Sequence, residues 1–311
     1  MRIAASVFMF SAAALSGCAT MGSLMIEPTD KVAVIAHRGA SAYAPENTLA
    51  AFELADQMDA DWYELDCLLA KDGSVVVSHD NDVDRCTDGT GLITEMTLAE
   101  LKTLDAGSWK DPRFAGERLP TLSESLAMAK DRIGVYVEIK SVADDGPVME
   151  QLRSAVGVQT SLGQDALAGL VAVAETSGNR NVELARAAVA VIRAAGMEKH
   201  VVIQSFSPVV CLVTVTEAPE IRTEYLGSYN EEKPEAWEAF KTWGTLINVA
   251  GFNVSQPSLT EARLKEFHDL GKTVAVWTVD DPESMKQLIT WGVDAIITNK
   301  PDVLRTVLAG K

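Results

Sequence analysis

The sequence contains few histidines, few cysteines and few positive charges. Its 311 residues include four histidines and four cysteines, and 27 lysines and arginines stand against 44 aspartates and glutamates. The net charge of −17 opposes binding to nucleic acid or to a bare anionic membrane, so no nucleic-acid partner is expected. No cysteines and histidines cluster at zinc spacing, which disfavours a zinc site. An anionic ligand would have to be held by local cations or a metal, and much of the surface charge serves solubility.

The first twenty residues have the pattern of a targeting segment. An apolar run of about 13 residues, too short to span a bilayer, ends in Leu15-Ser16-Gly17-Cys18. This ending resembles the cleavage box of bacterial lipoproteins, which implies a signal peptide over residues 1–18 and lipidation of Cys18. Residue 19 is Ala rather than Asp, which by the same resemblance favours the outer membrane, facing the periplasm or the cell surface. A tether is expected over residues 19–30, and one domain over 31–311.

Cys18 belongs to that targeting segment, and three cysteines remain, at positions 67, 86 and 211. An odd number implies no complete disulfide framework and allows one bridge at most.

Apolar, β-rich segments alternate with amphipathic helical segments through this domain. Strands are predicted at residues 31–37, 62–68, 74–79, 134–139, 201–206, 222–226, 246–249, 273–279 and 295–298. Several are nearly continuous Val, Ile and Ala runs, as expected of strands buried on both faces. Helices are predicted at 47–58, 258–270 and 282–291. The alternation predicts a (βα)8 TIM barrel.

The predicted barrel is irregular. Nine strands are one too many, and the link after the second strand is too short for a crossover helix and contains the turn signal Asp72-Gly73. The second and third strands are therefore expected to form a hairpin. The sequence does not indicate which of the nine segments lies outside the barrel. A small turn-rich insertion follows the third strand over residues 81–120, with a short helix near 97–104.

A long excursion, residues 141–198, follows the fourth strand. Two helices are predicted in it, near residues 147–156 and 181–195. An excursion from the carboxyl end of a barrel strand is either a lid or specificity element, or a helical insertion without a role in binding.

Polar clusters lie near the carboxyl ends of the first four predicted strands, where barrel enzymes place catalytic residues. Glu64 and Asp66 are two residues apart and point to one face of their strand, which in a barrel is the interior. Buried adjacent carboxylates require a neutralising cation. With Glu138 from another strand they form an oxygen site suited to one divalent cation, Ca²⁺ or Mg²⁺.

The remaining charged residues of these clusters suggest roles. His37 and His79 are candidates for a proton donor and acceptor. Arg38 offers a bidentate fork and Lys140 a point charge for a phosphate. Each residue alone has an ordinary structural interpretation, which is the one adopted for His200 and His268; the hypothesis rests on the clusters occurring together.

The ordered motifs resemble the bacterial glycerophosphodiester phosphodiesterase family, within the phospholipase-C-like superfamily. The matching segments are Ala36-His37-Arg38-Gly39-Ala40, Pro45-Glu46-Asn47-Thr48, Glu64-Leu65-Asp66, Ser78-His79-Asp80, the stretch from Asp84 to Gly91, Leu119 to Leu122, Val137-Glu138-Ile139-Lys140, Gln204-Ser205-Phe206-Ser207, Val276 to Asp280, and Gly292 to Thr298.

This resemblance implies roles for the same residues. His37 and His79 would be the acid/base pair, and Glu64, Asp66 and Glu138 would bind the cation. Arg38 and Lys140 would contact the phosphate of a small glycerophosphodiester, which would be hydrolysed to glycerol 3-phosphate and an alcohol. Trp277 is expected to line the site and pack the glycerol carbons, core packing being the alternative. The sequence departs from the family at Thr298-Asn299, where Thr-Asp is common.

Two other functions remain open. The same chemistry could act on lysophospholipids, as in a lysophospholipase D, which a wide apolar entrance would favour. An inactive barrel could instead serve as a lipoprotein binding module, which predicts loss of a histidine or an acidic ligand; all of them are present.

Overall fold

A computed structural model describes residues 32–157 and 159–310. The predicted signal peptide, the lipidation site Cys18 and the tether lie outside the described residues. None of the described helices is long and apolar enough to cross a bilayer. Cys67, Cys86 and Cys211 are free thiols.

Eight parallel strands close into a barrel, as predicted. The first strand pairs in parallel with both the second and the last, which closes the sheet. A ninth strand, the third in the chain, pairs antiparallel with the second alone. The strands are β1 (Ala33–Ala36), β2 (Trp62–Leu69), β3 (Val75–Val77), β4 (Gly134–Ile139), β5 (Val201–Ser205), β6 (Arg222–Gly227), β7 (Gly251–Ser255), β8 (Thr273–Trp277) and β9 (Ala295–Thr298).

Helices surround the barrel, and their starts follow local capping rules. Thr48 caps the first helix by accepting a hydrogen bond from the Ala51 backbone N–H, and Thr121 and Glu124 form a capping box at the third. The helices are α1 (Leu49–Gln57), α2 (Leu98–Leu101), α3 (Leu122–Ala129), α4 (Gly146–Val156), α5 (Gln164–Thr176), α6 (Arg180–Ala195), α7 (Pro208–Glu217), α8 (Pro234–Leu246), α9 (Glu261–Asp269), α10 (Pro282–Trp291) and α11 (Pro301–Leu308).

The segment outside the barrel is β3. Strand β2 pairs with β4 only as far as Cys67, and β3 folds back along its extension, with Val75 opposite Leu69. The predicted hairpin is thus confirmed. The returning hairpin brings His79, just after β3, to the carboxyl-terminal end of the barrel. The Ser78 backbone N–H donates to the Asp66 carbonyl there.

The strand predicted at 246–249 is wrong. Leu246 ends helix α8, and the seventh barrel strand is Gly251–Ser255. The apolar residues Leu246, Ile247 and Val249 are buried because they pack the helix and its exit turn against the core. Burial of a helix end and burial of a short strand give the same apolar pattern.

The excursion over residues 141–198 contains three helices rather than two. Helix α6 packs between α3 and α7 and takes the position of a barrel crossover helix. The unpredicted α5 packs against α7 and α4. The start of the excursion is anchored by the buried Asn181, whose Oδ1 accepts from the Val142 and Ala143 backbone N–H groups.

The barrel interior contains an apolar cluster, the buried ion pair Arg222–Glu224 at the start of β6, and a polar carboxyl-terminal end. A cluster inside the barrel contains Ile35, Trp62, Tyr136, Val202, Ala275, Ala295 and Ile297. Above it the inward positions become polar, beginning with Glu64 on β2 and Gln204 on β5, both almost fully buried. The charged side chains at the carboxyl-terminal end therefore lie next to a packed apolar cluster.

Candidate active site

Three carboxylates converge inside the carboxyl-terminal end of the barrel. Glu64 and Asp66 of β2 and Glu138 of β4 each offer an oxygen, and these oxygens lie within 4.8 Å of one another. Asp66 and Glu138 are direct neighbours in the β2–β4 register. Glu64 and Asp66 are 1% exposed and Glu138 is 8% exposed, so the strand alternation placed them inside, as predicted.

The electrostatics of this cluster fit a divalent cation. Burial, followed by the charges of Asp66 and Glu138, raises the pKa of Glu64 well above its ordinary value. Burial and Asp66 likewise raise the pKa of Glu138 to about 7, although Lys140 opposes the shift. Three buried carboxylates do not all ionise unless a cation compensates them. An all-oxygen donor set of this size suits Ca²⁺ or Mg²⁺.

Two cationic side chains border the carboxylates. Lys140 Nζ lies 2.8 Å from Glu138 Oε1 and 3.3 Å from Asp66 Oδ1, and Arg38 Nε lies 3.4 Å from Asp66 Oδ2. Burial would raise the pKa of Asp66, but Lys140 and Arg38 outweigh it and lower that pKa. Apart from these ion pairs, the buried atoms Arg38 Nε and Glu138 Oε1 have no aligned hydrogen-bond partner among the described residues.

The loop after β1 is shaped to reach the carboxylates. Arg38 and Gly39 have φ angles of 54° and 79°, and this turn directs the Arg38 backbone N–H to Glu64 Oε2 at 2.9 Å. Asn47, also left-handed at φ 58°, donates from Nδ2 to Asp66 Oδ2 at 2.9 Å. Sequence reasoning used Asn47 to mark the start of the first helix and gave it no role in the site, although it lies in a matching motif.

The two histidines have different partners. His37, directly after β1, places Nδ1 2.7 Å from Asn299 Oδ1. His79 places Nδ1 2.7 Å from Asp80 Oδ1. Burial, followed by the charge of Arg38, lowers the pKa of His37 to about 4. His37 is therefore a neutral imidazole at physiological pH.

An ion-pair network joins the insertion to the site. Arg85 donates 2.6 Å to Asp80 Oδ2 and makes two bonds to the carboxylate of Glu46, which also accepts from Arg38 Nη1 at 2.8 Å. Glu46 therefore links the two arginines and lies outside the carboxylate cluster. Sequence reasoning missed the role of Arg85, which only the tertiary contact reveals.

A cavity of about 110 Å³ connects these groups. Trp277 lines it as predicted, and its ring meets Phe206 edge-on at 5.5 Å between centroids. Phe206 is 43% exposed at the entrance. No described residue of the 141–198 excursion lines this cavity. The lining residues are His37, Arg38, Glu64, His79, Glu138, Lys140, Gln204, Phe206, Leu226, Trp277, Thr278 and Ile297.

Two amide side chains, from β5 and β7, extend to Glu64. Gln204 Nε2 approaches Glu64 Oε1 at 3.4 Å, and Asn253 Nδ2 donates to Gln204 Oε1 at 2.7 Å. Sequence reasoning assigned neither residue a role. Gln204 was a polar residue within a predicted apolar strand, whereas Asn253 lay outside every predicted strand.

The two remaining histidines lie elsewhere, as predicted. His268 is on α9 and its Nε2 lies 2.9 Å from Asp294 Oδ2, while the His200 carbonyl accepts from the Val135 backbone N–H just before β5. Neither lines the cavity. A larger hollow of about 550 Å³ on the outer surface, beside α8 and α9, contains none of the predicted site residues.

The fold and this constellation define the class of the protein: a (βα)8 barrel enzyme of the phosphodiesterase type. The model of the glycerophosphoryl diester phosphodiesterase family matches residues 37–162 and 166–303. The chain belongs to this family.

Curated and solved relatives agree with this membership. The chain is 35% identical over 276 residues to a glycerophosphodiester phosphodiesterase of Caldanaerobacter subterraneus, covering 88% of this chain and 96% of that one. It is 30% identical over 301 residues to a glycerophosphodiester phosphodiesterase of Bacillus subtilis, covering 94% and 91%. An Oleispira antarctica phosphodiesterase, solved in complex with its product sn-glycerol-3-phosphate, is 29% identical with a TM-score of 0.70, covering 89% and 96%.

Proposed function

We propose that this protein hydrolyses glycerophosphodiesters to glycerol 3-phosphate and an alcohol, with one Ca²⁺ or Mg²⁺ held by Glu64, Asp66 and Glu138. The observation that supports this most directly is the meeting of three buried carboxylates, two cations and two imidazoles around one small cavity. Its volume of about 110 Å³ suits a small polar group rather than a drug-sized ligand, which needs roughly 300 Å³ or more.

The side chains have complementary tasks in this reaction. Arg38 and Lys140 bind the phosphate oxygens, and their charges oppose the repulsion that the acidic protein exerts on an anion. When bound, the divalent cation neutralises the carboxylates and polarises the phosphoryl group. Of His37 and His79, one removes a proton from the attacking water and the other protonates the leaving oxygen, which departs as the alcohol. Trp277 packs against the glycerol carbons.

The test is release of glycerol 3-phosphate from glycerophosphocholine or glycerophosphoethanolamine. A chelator should abolish release, and added Ca²⁺ or Mg²⁺ should restore it. His79→Ala should lower kcat by about 10²–10⁴-fold, whereas His268→Ala, which changes a histidine outside the cavity, should not. No release from either substrate with either cation would refute the function and favour an inactive binding module.

Cleavage of lysophospholipids at the same site is the second candidate, because the exposed ring of Phe206 lies at the entrance beside Trp277. Turnover of lysophosphatidylcholine and glycerophosphocholine should be compared in one assay. The small cavity favours glycerophosphocholine. Phe206→Ser should reduce turnover of the lysolipid selectively if an acyl chain contacts this ring.

We also propose that the protein is anchored in the cell envelope through a lipid on Cys18, in the outer membrane facing the periplasm or the surface. The support is the Leu-Ser-Gly-Cys ending of a short apolar run. Multiple acyl chains on one residue anchor stably, whereas a single chain binds marginally. Cys18→Ala should leave the membrane fraction, and intact-mass spectrometry of the parent should show acyl groups at Cys18. An unmodified cysteine in the mature protein would refute the anchor.

A further inference from the structure

The loops after β9 and β8 meet the loop after β1 at His37. Strands β1 and β9 are neighbours, and the His37 backbone N–H donates to the Thr298 carbonyl at 2.8 Å. The next residue on β9, Asn299, therefore lies beside His37, and its Oδ1 is 2.7 Å from His37 Nδ1. The Ser41 hydroxyl lies 2.7 Å from the same oxygen and 2.7 Å from the His37 carbonyl, and can donate its one proton to either.

Asp280, in the loop after β8, determines which way the Asn299 amide faces. The Asp280 carboxylate accepts from Thr298 Oγ1 at 2.9 Å, from the Asn299 backbone N–H at 2.8 Å and from Asn299 Nδ2 at 2.6 Å. An ionised carboxylate only accepts hydrogen bonds, so the amide nitrogen must face Asp280 and the amide oxygen must face His37.

The amide in turn determines the tautomer of the imidazole. Because Asn299 Oδ1 can only accept, His37 Nδ1 must carry the proton in the bond between them. The neutral ring then has an unprotonated Nε2. An amide partner also adds no charge that would favour an imidazolium.

We propose that Asp280 and Asn299 are positioning residues that hold His37 as the Nδ1–H tautomer, which leaves its Nε2 unprotonated and able to accept a proton. That His37 takes part in the reaction through this nitrogen rests on the proposed function, but the tautomer does not.

The wild-type tautomer is the first test. Long-range ¹H–¹⁵N correlation spectra of the full chain distinguish Nδ1–H from Nε2–H rings, and with four histidines in the sequence a His37→Gln spectrum assigns the signal. An Nδ1–H ring at neutral pH is expected. An Nε2–H ring overturns the proposal, whether or not the protein is active.

Asp280→Asn should invert the tautomer. The new side chain keeps an oxygen for Thr298 Oγ1 and the Asn299 N–H, so its nitrogen meets Asn299 Nδ2, and two donors repel. Asn299 then turns over and donates to His37, moving the ring proton to Nε2. The spectrum should show this change, and kcat should fall by about 10²–10⁴-fold, the contribution of a general base. Retention of the Nδ1–H tautomer in this variant would overturn the proposal that Asp280 acts on His37 through Asn299.

The double variant Asp280→Asn with Asn299→Asp exchanges acid and amide and should restore both the Nδ1–H tautomer and most of the turnover. The carboxylate would now face His37, which also faces the charges of Arg38, Asp66 and Glu46. The acid limb of the pH–rate profile should therefore move to higher pH than in the wild type.

Asn248→Asp is the matched control. It makes the same chemical change in the turn before β7, at the opposite end of the barrel, and retains an acceptor for Lys272. The pH–rate profile of this control variant should equal that of the wild type. A pH profile of the double variant that also equals the wild type would refute direct action on His37.

Discussion

The Glu64→Gln variant should be at least as stable as the wild type in chelator, and less stable than the wild type when a divalent cation is added. Glu64 Oε2 accepts from the Arg38 backbone N–H at 2.9 Å, and a Gln oxygen keeps that bond. At separations up to 4.8 Å, two ionised carboxylates of the cluster would repel by about 3 kcal/mol at an effective dielectric constant of 20, which is why Glu64 takes up a proton in the absence of a cation. In chelator the variant should therefore be at least as stable as the wild type.

In Ca²⁺ or Mg²⁺ the wild type should be the more stable of the two proteins. At a concentration 100 times its dissociation constant, an ion that binds only the folded state stabilises by about 2.7 kcal/mol. For a domain of this size class that corresponds to a rise in Tm of roughly 5–10 °C. The variant, with one ligand charge removed, should show a much smaller rise. Thermal and urea unfolding of both proteins, in chelator and in Ca²⁺ or Mg²⁺, measure the four stabilities.

Glu224→Gln provides the matched control. Glu224 is another barrel glutamate, 1% exposed, but it pairs with Arg222 at 2.7 Å. Its loss leaves a buried guanidinium without its counter-charge, which costs about 3–5 kcal/mol with or without cation. The reasoning is refuted if Glu64→Gln is clearly less stable than the wild type in chelator, or if neither cation stabilises the wild type.

Two further predictions concern stability around the first loop. Burial would raise the pKa of Glu46 and of Asp80, but hydrogen bonds from Arg85 outweigh it and lower both. Carboxyl groups with lowered pKa values stabilise the fold above about pH 4, and this stabilisation is lost as the pH falls through those values. Arg85→Met should therefore lower the free energy of unfolding by about 1 kcal/mol at pH 7, a figure discounted for solvent exposure, and by progressively less toward pH 3. Urea unfolding measures this difference, and a difference that stays constant with pH would contradict the reasoning. Gly39→Ala should cost more than about 3 kcal/mol, because its φ is +79° and a Cβ would lie 2.6 Å from Ala51 backbone. Gly73→Ala, at φ +81° with open space around it, should cost about 1–2 kcal/mol from backbone strain alone; equal losses for the two glycines would show that the contact is unimportant.

The barrel could be predicted because its strands are buried on both faces. Gly134–Ile139 matched its predicted bounds, since a continuous apolar run in a parallel strand has sharp ends. The prediction at residues 246–249 failed because those apolar residues pack a helix end, and periodicity over four residues does not separate the two cases. Helix α5 was missed within the long excursion, where the sequence pattern indicated only two helices.

The carboxylate cluster followed from alternation alone. Glu64 and Asp66 share a face by covalent geometry, and Glu138 begins the polar end of a neighbouring apolar strand. The second layer of the site did not follow. Asn47, Gln204 and Asn299 reach the site residues across sequence separations of 19, 140 and 262 positions. Single polar residues in turns and strands have no local pattern that states which partner they will meet.

The sequence by itself determined the eight-stranded repeat, the acidic pair and the residue types that bind and move protons near phosphate, because these depend on local burial, strand alternation and chemical identity. Only the tertiary structure decided that β3 leaves the barrel, that Glu46 joins two arginines, and that His37 faces an amide while His79 faces a carboxylate. Closure of the barrel brings together loops that are hundreds of residues apart in sequence. The partner of an imidazole, and therefore its protonation, is a property of that closure.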